Sequence, residues 1–203
     1  MTEKKTFAGV RDHTEDASHA RGRWTDVLMH RWPTALGIAL AALAAFDVQD
    51  AQDGLEFAAL TVLMALVYLG AAALDRRWSA WIILLAGLTL LVFIPSTWGV
   101  VPLMVLLVAA PVFLVLGVAR GQWQRLGGLA LQTAGMLAFG STVLVALYVV
   151  YPDLGGKLVG IAILGHAAWD AYHYLRNRVV ARSYAEFCAV VDLLLGAAIL
   201  FMT

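Results

Sequence analysis

Seven apolar runs, at about 33–49, 55–74, 78–95, 98–118, 127–150, 156–175 and 184–202, take up nearly all of the chain beyond its first thirty residues. Only short loops separate them. Several runs reach the roughly 20 residues that cross a ~30 Å hydrocarbon layer, and the first is near the lower limit of ~17. A water-soluble core has no room for so much apolar sequence: the chain is 62% hydrophobic, against roughly 45–50% for soluble proteins. The expected fold is all-α, a polytopic membrane protein with seven transmembrane helices over residues 32–203. Residues 1–31 are polar and mixed in charge, and read as a flexible cytoplasmic tail in which Thr25 could cap a short helix. No apolar segment follows closely on the start, so a signal peptide is not expected.

The loop charges sort by side. Arg76 and Arg77, then Arg120 and Arg125, then Arg176, Arg178 and Arg182 fall in alternate loops. The intervening loops carry Asp47, Asp50 and Asp53, then no charge, then Asp153 with Lys157. Basic residues collect on the cytoplasmic side of a membrane, which predicts an N-terminus inside and a C-terminus outside. Net charge is zero, so no basic field exists to attract nucleic acid. The expected partners are the lipid bilayer and a hydrophobic small molecule. Arginine outnumbers lysine and Asn177 is the only asparagine, a skew that suits the plasma membrane of a GC-rich bacterium. A single cysteine, Cys188, excludes an intrachain disulfide.

Helix boundaries carry their own signals. "DGLE" at 53–56 and "SYAE" at 183–186 have capping-box spacing, which predicts Asp53 and Ser183 as N-caps with Glu56 and Glu186 closing the boxes. Ser96 and Asp153 are further cap candidates. Pro111 should kink the fourth span. Gly135, Gly140 and Ser141 in the fifth let a neighbouring helix approach. Trp32, Trp78, Trp98 and Trp123 fall at span ends, where an interfacial belt is expected.

One stripe departs from this economy of charge. "GHAAWDAYHYLRNR" puts His166, Asp170 and His173 in the sixth span, within an arc of about 60° on a helix. Counting from the turn near 177–180 brings Asp192 of the seventh span level with His166, and Cys188 or Ala189 level with Asp170. An aspartate near the centre of a membrane helix opposes insertion by ~2.5–3.5 kcal/mol, whereas interhelical hydrogen bonds contribute only ~0.6 kcal/mol on average. Ionisable groups placed at that cost mark a site by default.

Three functions compete for it. The first is an intramembrane acid–base enzyme acting on a lipid or isoprenoid-type substrate, with Asp170, Asp192, His166 and His173 as catalytic groups. A divalent metal on His166, Asp170 and Asp192 would fit that chemistry. His166 and His173 are seven residues apart, about 10.5 Å along a helix, so they cannot readily share one ion. The second is a proton- or ion-coupled transporter, which the odd span count and absent repeat disfavour. The third is a scaffold or sensory subunit. A retinal Schiff base is not expected, because the only lysine near a span, Lys157, is at its outer end.

Size, seven spans and embedded carboxylates resemble the small membrane-bound terpene cyclases. The inward N-terminus resembles the seven-helix adiponectin receptors and related hydrolases. These resemblances imply a cyclase-like or a hydrolase-like reaction. The chain departs from both patterns, with no HxxxH in its seventh span and no tryptophan–glutamate pair in an early one. The predicted sidedness has a direct check. A reporter fused after Thr203 should read as external, and a cytoplasmic signal would mean that one span is miscounted.

Overall fold

The computed structural model describes residues 31–46, 48–50, 52–94, 98–124 and 128–201. The tail up to His30 with its Thr25 cap, Asp47, the Ser96 cap and Arg125 lie outside the described residues. The rest is helical, with seven α-helices: α1 Trp32–Ala45, α2 Ala58–Leu74, α3 Ser79–Phe93, α4 Val101–Ala119, α5 Leu129–Tyr148, α6 Pro152–Arg176 and α7 Arg182–Phe201. Short 3-10 turns, Gln52–Phe57 and Gln122–Gln124, precede α2 and α5. Each helix falls within a few residues of an apolar run. Four stretches are long and apolar enough to cross a membrane: Asp53–Leu74, α4, α5 and α7. The helical parts of α1 and α3 are shorter than their runs, at 14 and 15 residues, or roughly 21–23 Å of rise.

The sequence of α2 explains its place. It is apolar on every side and rich in alanine, the pattern of a helix buried all round. Fourteen of its 17 residues are buried, and α3, α4, α5 and α6 pack around it. By contrast α4 buries only Leu103, Leu106 and Gly117 and leaves Val108, Val112 and Val115 more than 60% exposed. An outer face so apolar suits a lipid surrounding rather than water. The helices α6 and α7 form the most extensive helix pair, and α1 joins the assembly chiefly through α7.

Two glycines allow the closest approaches. A Cβ at Gly87 in α3 would stand 2.1 Å from a Leu63 methyl of α2, and one at Gly155 in α6 would stand 2.4 Å from the Ala146 carbonyl oxygen of α5. Gly135 makes room for the Trp169 indole, 3.0 Å from its would-be Cβ, whereas Gly140 has only ordinary contacts. The α6–α7 turn places Asn177 and Val179 at positive φ, 48° and 71°. Asparagine adopts that conformation readily, but a β-branched residue does so under strain. The turn is tied down from outside, because the Ala181 N–H donates to the Arg77 carbonyl and Arg77 Nη1 to Asn177 Oδ1, both at 3.3 Å.

The caps differ from the sequence expectation. The first box lies three residues earlier: Asp50 Oδ1 accepts the Asp53 N–H at 3.3 Å and Asp53 Oδ2 accepts the Asp50 N–H at 2.9 Å. The 3-10 turn begins the helix early and leaves Glu56 outside the box. Ser183 is already inside α7 and accepts a hydrogen bond from Trp81 Nε1 at 3.4 Å. Glu186 turns to α1, accepting from Thr34 Oγ1 at 2.5 Å and pairing with Arg31 at 3.5 Å. Asp153 is in the first turn of α6 rather than at its cap, which Tyr151 occupies in extended conformation ahead of Pro152. Pro111 is accommodated within an unbroken α4.

The close approach at Gly155 is testable. Gly155→Ala meets backbone that cannot swing aside, so it should lower stability by about 1–3 kcal/mol. Gly165→Ala, whose nearest neighbour would be 3.7 Å away, should leave the melting temperature in detergent unchanged or raised. Equal behaviour of the two variants would contradict the packing described.

Candidate functional site

The polar stripe of α6 faces inward. His166 and Asp170 are one turn apart on a single helix face, and both are fully buried, as is Asp192 of α7. The antiparallel α6–α7 pair brings the three together. His166 Nδ1 lies 2.9 Å from Asp192 Oδ2 and 3.3 Å from Asp170 Oδ2. From the central helix the Tyr68 hydroxyl donates to Asp170 Oδ1 at 2.6 Å. Phe139 of α5 closes one side, its ring 5.0 Å from the imidazole, and the Tyr68 ring stands at 5.6 Å.

The electrostatics follow from that geometry. A ring nitrogen and two carboxylate oxygens face one another in an interior that screens charge poorly. Their lone pairs repel unless a proton, on Nδ1 or on a carboxyl oxygen, or a metal cation lies among them. The cluster also has unused capacity. His166 Nε2, Asp170 Oδ2 and Asp192 Oδ1 are buried without a hydrogen-bond partner. Such atoms are costly in a finished interior and ordinary in a site that exchanges protons or ligands. The side chains able to hold a metal here are His166, Asp170 and Asp192, which offer ligand atoms within 4.8 Å of one another.

His173 is buried on the same helix but joins a different network. Its Nδ1 lies 2.9 Å from the Trp169 carbonyl, and its Nε2 lies 3.0 Å from the Gln132 amide nitrogen of α5. A carbonyl only accepts, so Nδ1–H donates to it and Nε2 accepts the amide N–H. Both ring nitrogens are thus engaged away from the carboxylates. Its ring also lies 4.7 Å from that of Tyr68 and 5.2 Å from that of Trp169, tilted against both, so His173 braces the wall of the cluster. Cys188 is buried and unoxidised nearby on α7.

Three of the four residues singled out by sequence therefore converge, and the fourth stands beside them. Sequence reading missed Tyr68 and Gln132. Each is one of a few uncharged polar residues scattered through an apolar run. Periodicity within one helix carries no information about which face of another helix it meets. No protein-family model, curated protein or solved structure matches this chain.

The Tyr68 bond gives a clear expectation. Tyr68→Phe keeps the ring but leaves a buried carboxylate oxygen without its donor, and should cost about 1–3 kcal/mol of stability. Tyr172→Phe, at an exposed position, should stay within about 0.5 kcal/mol. Unfolding of the purified protein in mixed micelles measures both, and a silent Tyr68→Phe would show that the bond does not hold Asp170.

Proposed function

We propose that the chain crosses the plasma membrane seven times, with its N-terminus in the cytoplasm and its C-terminus outside. In this reading the His166–Asp170–Asp192 cluster is an intramembrane acid–base site for a lipid or isoprenoid-type molecule. Sidedness is supported by the clustering of Arg31, Arg77 and the 177–186 segment at one end of the bundle, through the Arg77–Asn177 and Arg31–Glu186 contacts. The short helices α1 and α3 complete their crossings through flanking apolar residues such as Phe46 and Ile94.

The observation that carries the catalytic reading is the meeting of three fully buried ionisable groups with lone pairs unspent. Tyr68 holds Asp170 as an acceptor, which leaves the His166–Asp192 contact as the one across which a proton can move. Loaded with that proton, the pair protonates an alkene, epoxide or ester. Once unloaded, it takes a proton back from the product side. His173, with both nitrogens engaged, is a positioning residue. An apolar cavity of about 320 Å³ between α2, α4 and α5, lined by Leu69, Pro111, Met136 and Gly140 among others, starts one residue from Tyr68. None of its lining residues belongs to the cluster, so it offers room for a hydrocarbon chain on another face of the central helix.

Asp170→Asn, Asp192→Asn and His166→Gln preserve shape and hydrogen bonding while removing proton exchange. Each should fold and yet lose activity by about 10²-fold or more. The readout is the lipid profile of cells lacking the protein, complemented with wild type or variant, alongside melting temperatures. Three variants that fold like wild type and fully restore that profile would sink the catalytic reading.

A further inference from the structure

We infer that the buried cluster is a binding site for one divalent transition-metal ion of the zinc, manganese or iron(II) class, held by His166 Nδ1, Asp170 Oδ2 and an Asp192 carboxylate oxygen. The inference rests on the reading of these residues as a functional site. An ion here would take the place of the His166–Asp192 proton, and acid–base exchange would then pass to a water bound to the ion.

Geometry supports the assignment. Metal bonds of about 2.0–2.2 Å to imidazole nitrogen and carboxylate oxygen set adjacent ligand atoms roughly 2.8–3.5 Å apart, from octahedral to tetrahedral arrangement. His166 Nδ1 stands 2.9 Å from Asp192 Oδ2 and 3.3 Å from Asp170 Oδ2. Both spacings are edges of such a coordination sphere. Nδ1 carries at most one proton, and Asp192 Oδ2 at 2.9 Å is the nearer acceptor, so the 3.3 Å approach of Asp170 Oδ2 has no proton of its own from the imidazole.

Charge supports it independently. Two carboxylates and a neutral imidazole carry two negative charges, and a dication brings the buried group to neutrality in one step. The donor set is also chemically selective. Mixed imidazole and carboxylate ligands suit borderline metals, whereas calcium and magnesium take oxygen alone. Tyr68 then acts as an outer-sphere residue, orienting Asp170 through its other oxygen, Oδ1, at 2.6 Å. The second Asp192 oxygen, unpartnered and buried, supplies a further ligand or a hydrogen-bond acceptor for a bound water. Three protein ligands leave coordination positions open, the arrangement of a catalytic rather than a structural ion. Binding displaces the Nδ1 proton, so affinity should fall as pH drops.

The test uses the full chain, purified in mild detergent through a tag that needs no metal and without chelator. Elemental analysis should find about one transition-metal ion per chain. After chelator stripping, cobalt(II) should restore a saturable visible absorption band and raise the melting temperature. Asp192→Asn should weaken cobalt binding by about tenfold or more, and Tyr68→Phe by a smaller factor, with Asp153→Asn unchanged. The wild-type measurements stand alone if a variant fails to fold. Wild-type protein that purifies without metal and takes up no cobalt at millimolar concentration overturns the inference. If the Asn variants are then folded and inactive in cells, the proton-based site survives. Metal binding with fully active Asn variants would keep the ion and remove the catalytic reading.

Discussion

An imidazole wedged between two carboxylates sets the register of the C-terminal helix pair. Sliding α7 by one residue would move Asp192 about 1.5 Å along the axis and 100° around it, out of reach of His166. Removing one partner from a buried ionic group typically costs about 3–5 kcal/mol, because the remaining charge is left uncompensated. The α6–α7 pairing is therefore held to a single alignment. The turn joining the two helices accepts a strained Val179 to keep it. Through the Tyr68–Asp170 bond the same constraint reaches the central helix.

Around that alignment the packing is one of small residues and apolar bulk. Because α2 has no polar face, it can be surrounded. The glycines at 87 and 155 let neighbouring backbones come close to their partners. The outer helices then need only one packed side, and α4 shows the consequence in its line of exposed valines. The first helix is a separate case. It joins the assembly through α7, where Thr34 and Arg31 meet Glu186. The carboxylate that spacing suggested as a cap is used instead as a fastener between two helices.

Much of the site was legible in one helix and half of another. His166 and Asp170 stand one turn apart, so helical periodicity alone places them on a common face. Counting from the α6–α7 turn brings Asp192 level with His166, because an antiparallel hairpin with a short turn leaves little freedom of register. His173 shares the stripe, yet its ring engages Trp169 and Gln132, since seven residues of helix carry it a full two turns from His166. The cap signals failed for a related reason. Spacing identifies residues able to cap, but the actual helix start at Gln52 or Arg182 decides which of them does.

The sequence by itself determined the all-helical class, the number and approximate limits of the seven helices among the described residues, and the stripe of ionisable groups in α6. Those features depend on local periodicity and on the length of apolar runs, which neighbouring residues along the chain specify. Only the tertiary structure decided that α2 is the central helix, that its Tyr68 holds Asp170, that Gln132 engages His173 and that Glu186 anchors α1. These depend on the rotation of each helix about its own axis. With helices apolar on nearly every face, no hydrophobic pattern fixes that rotation, and the burial of a few polar groups against one another does so instead.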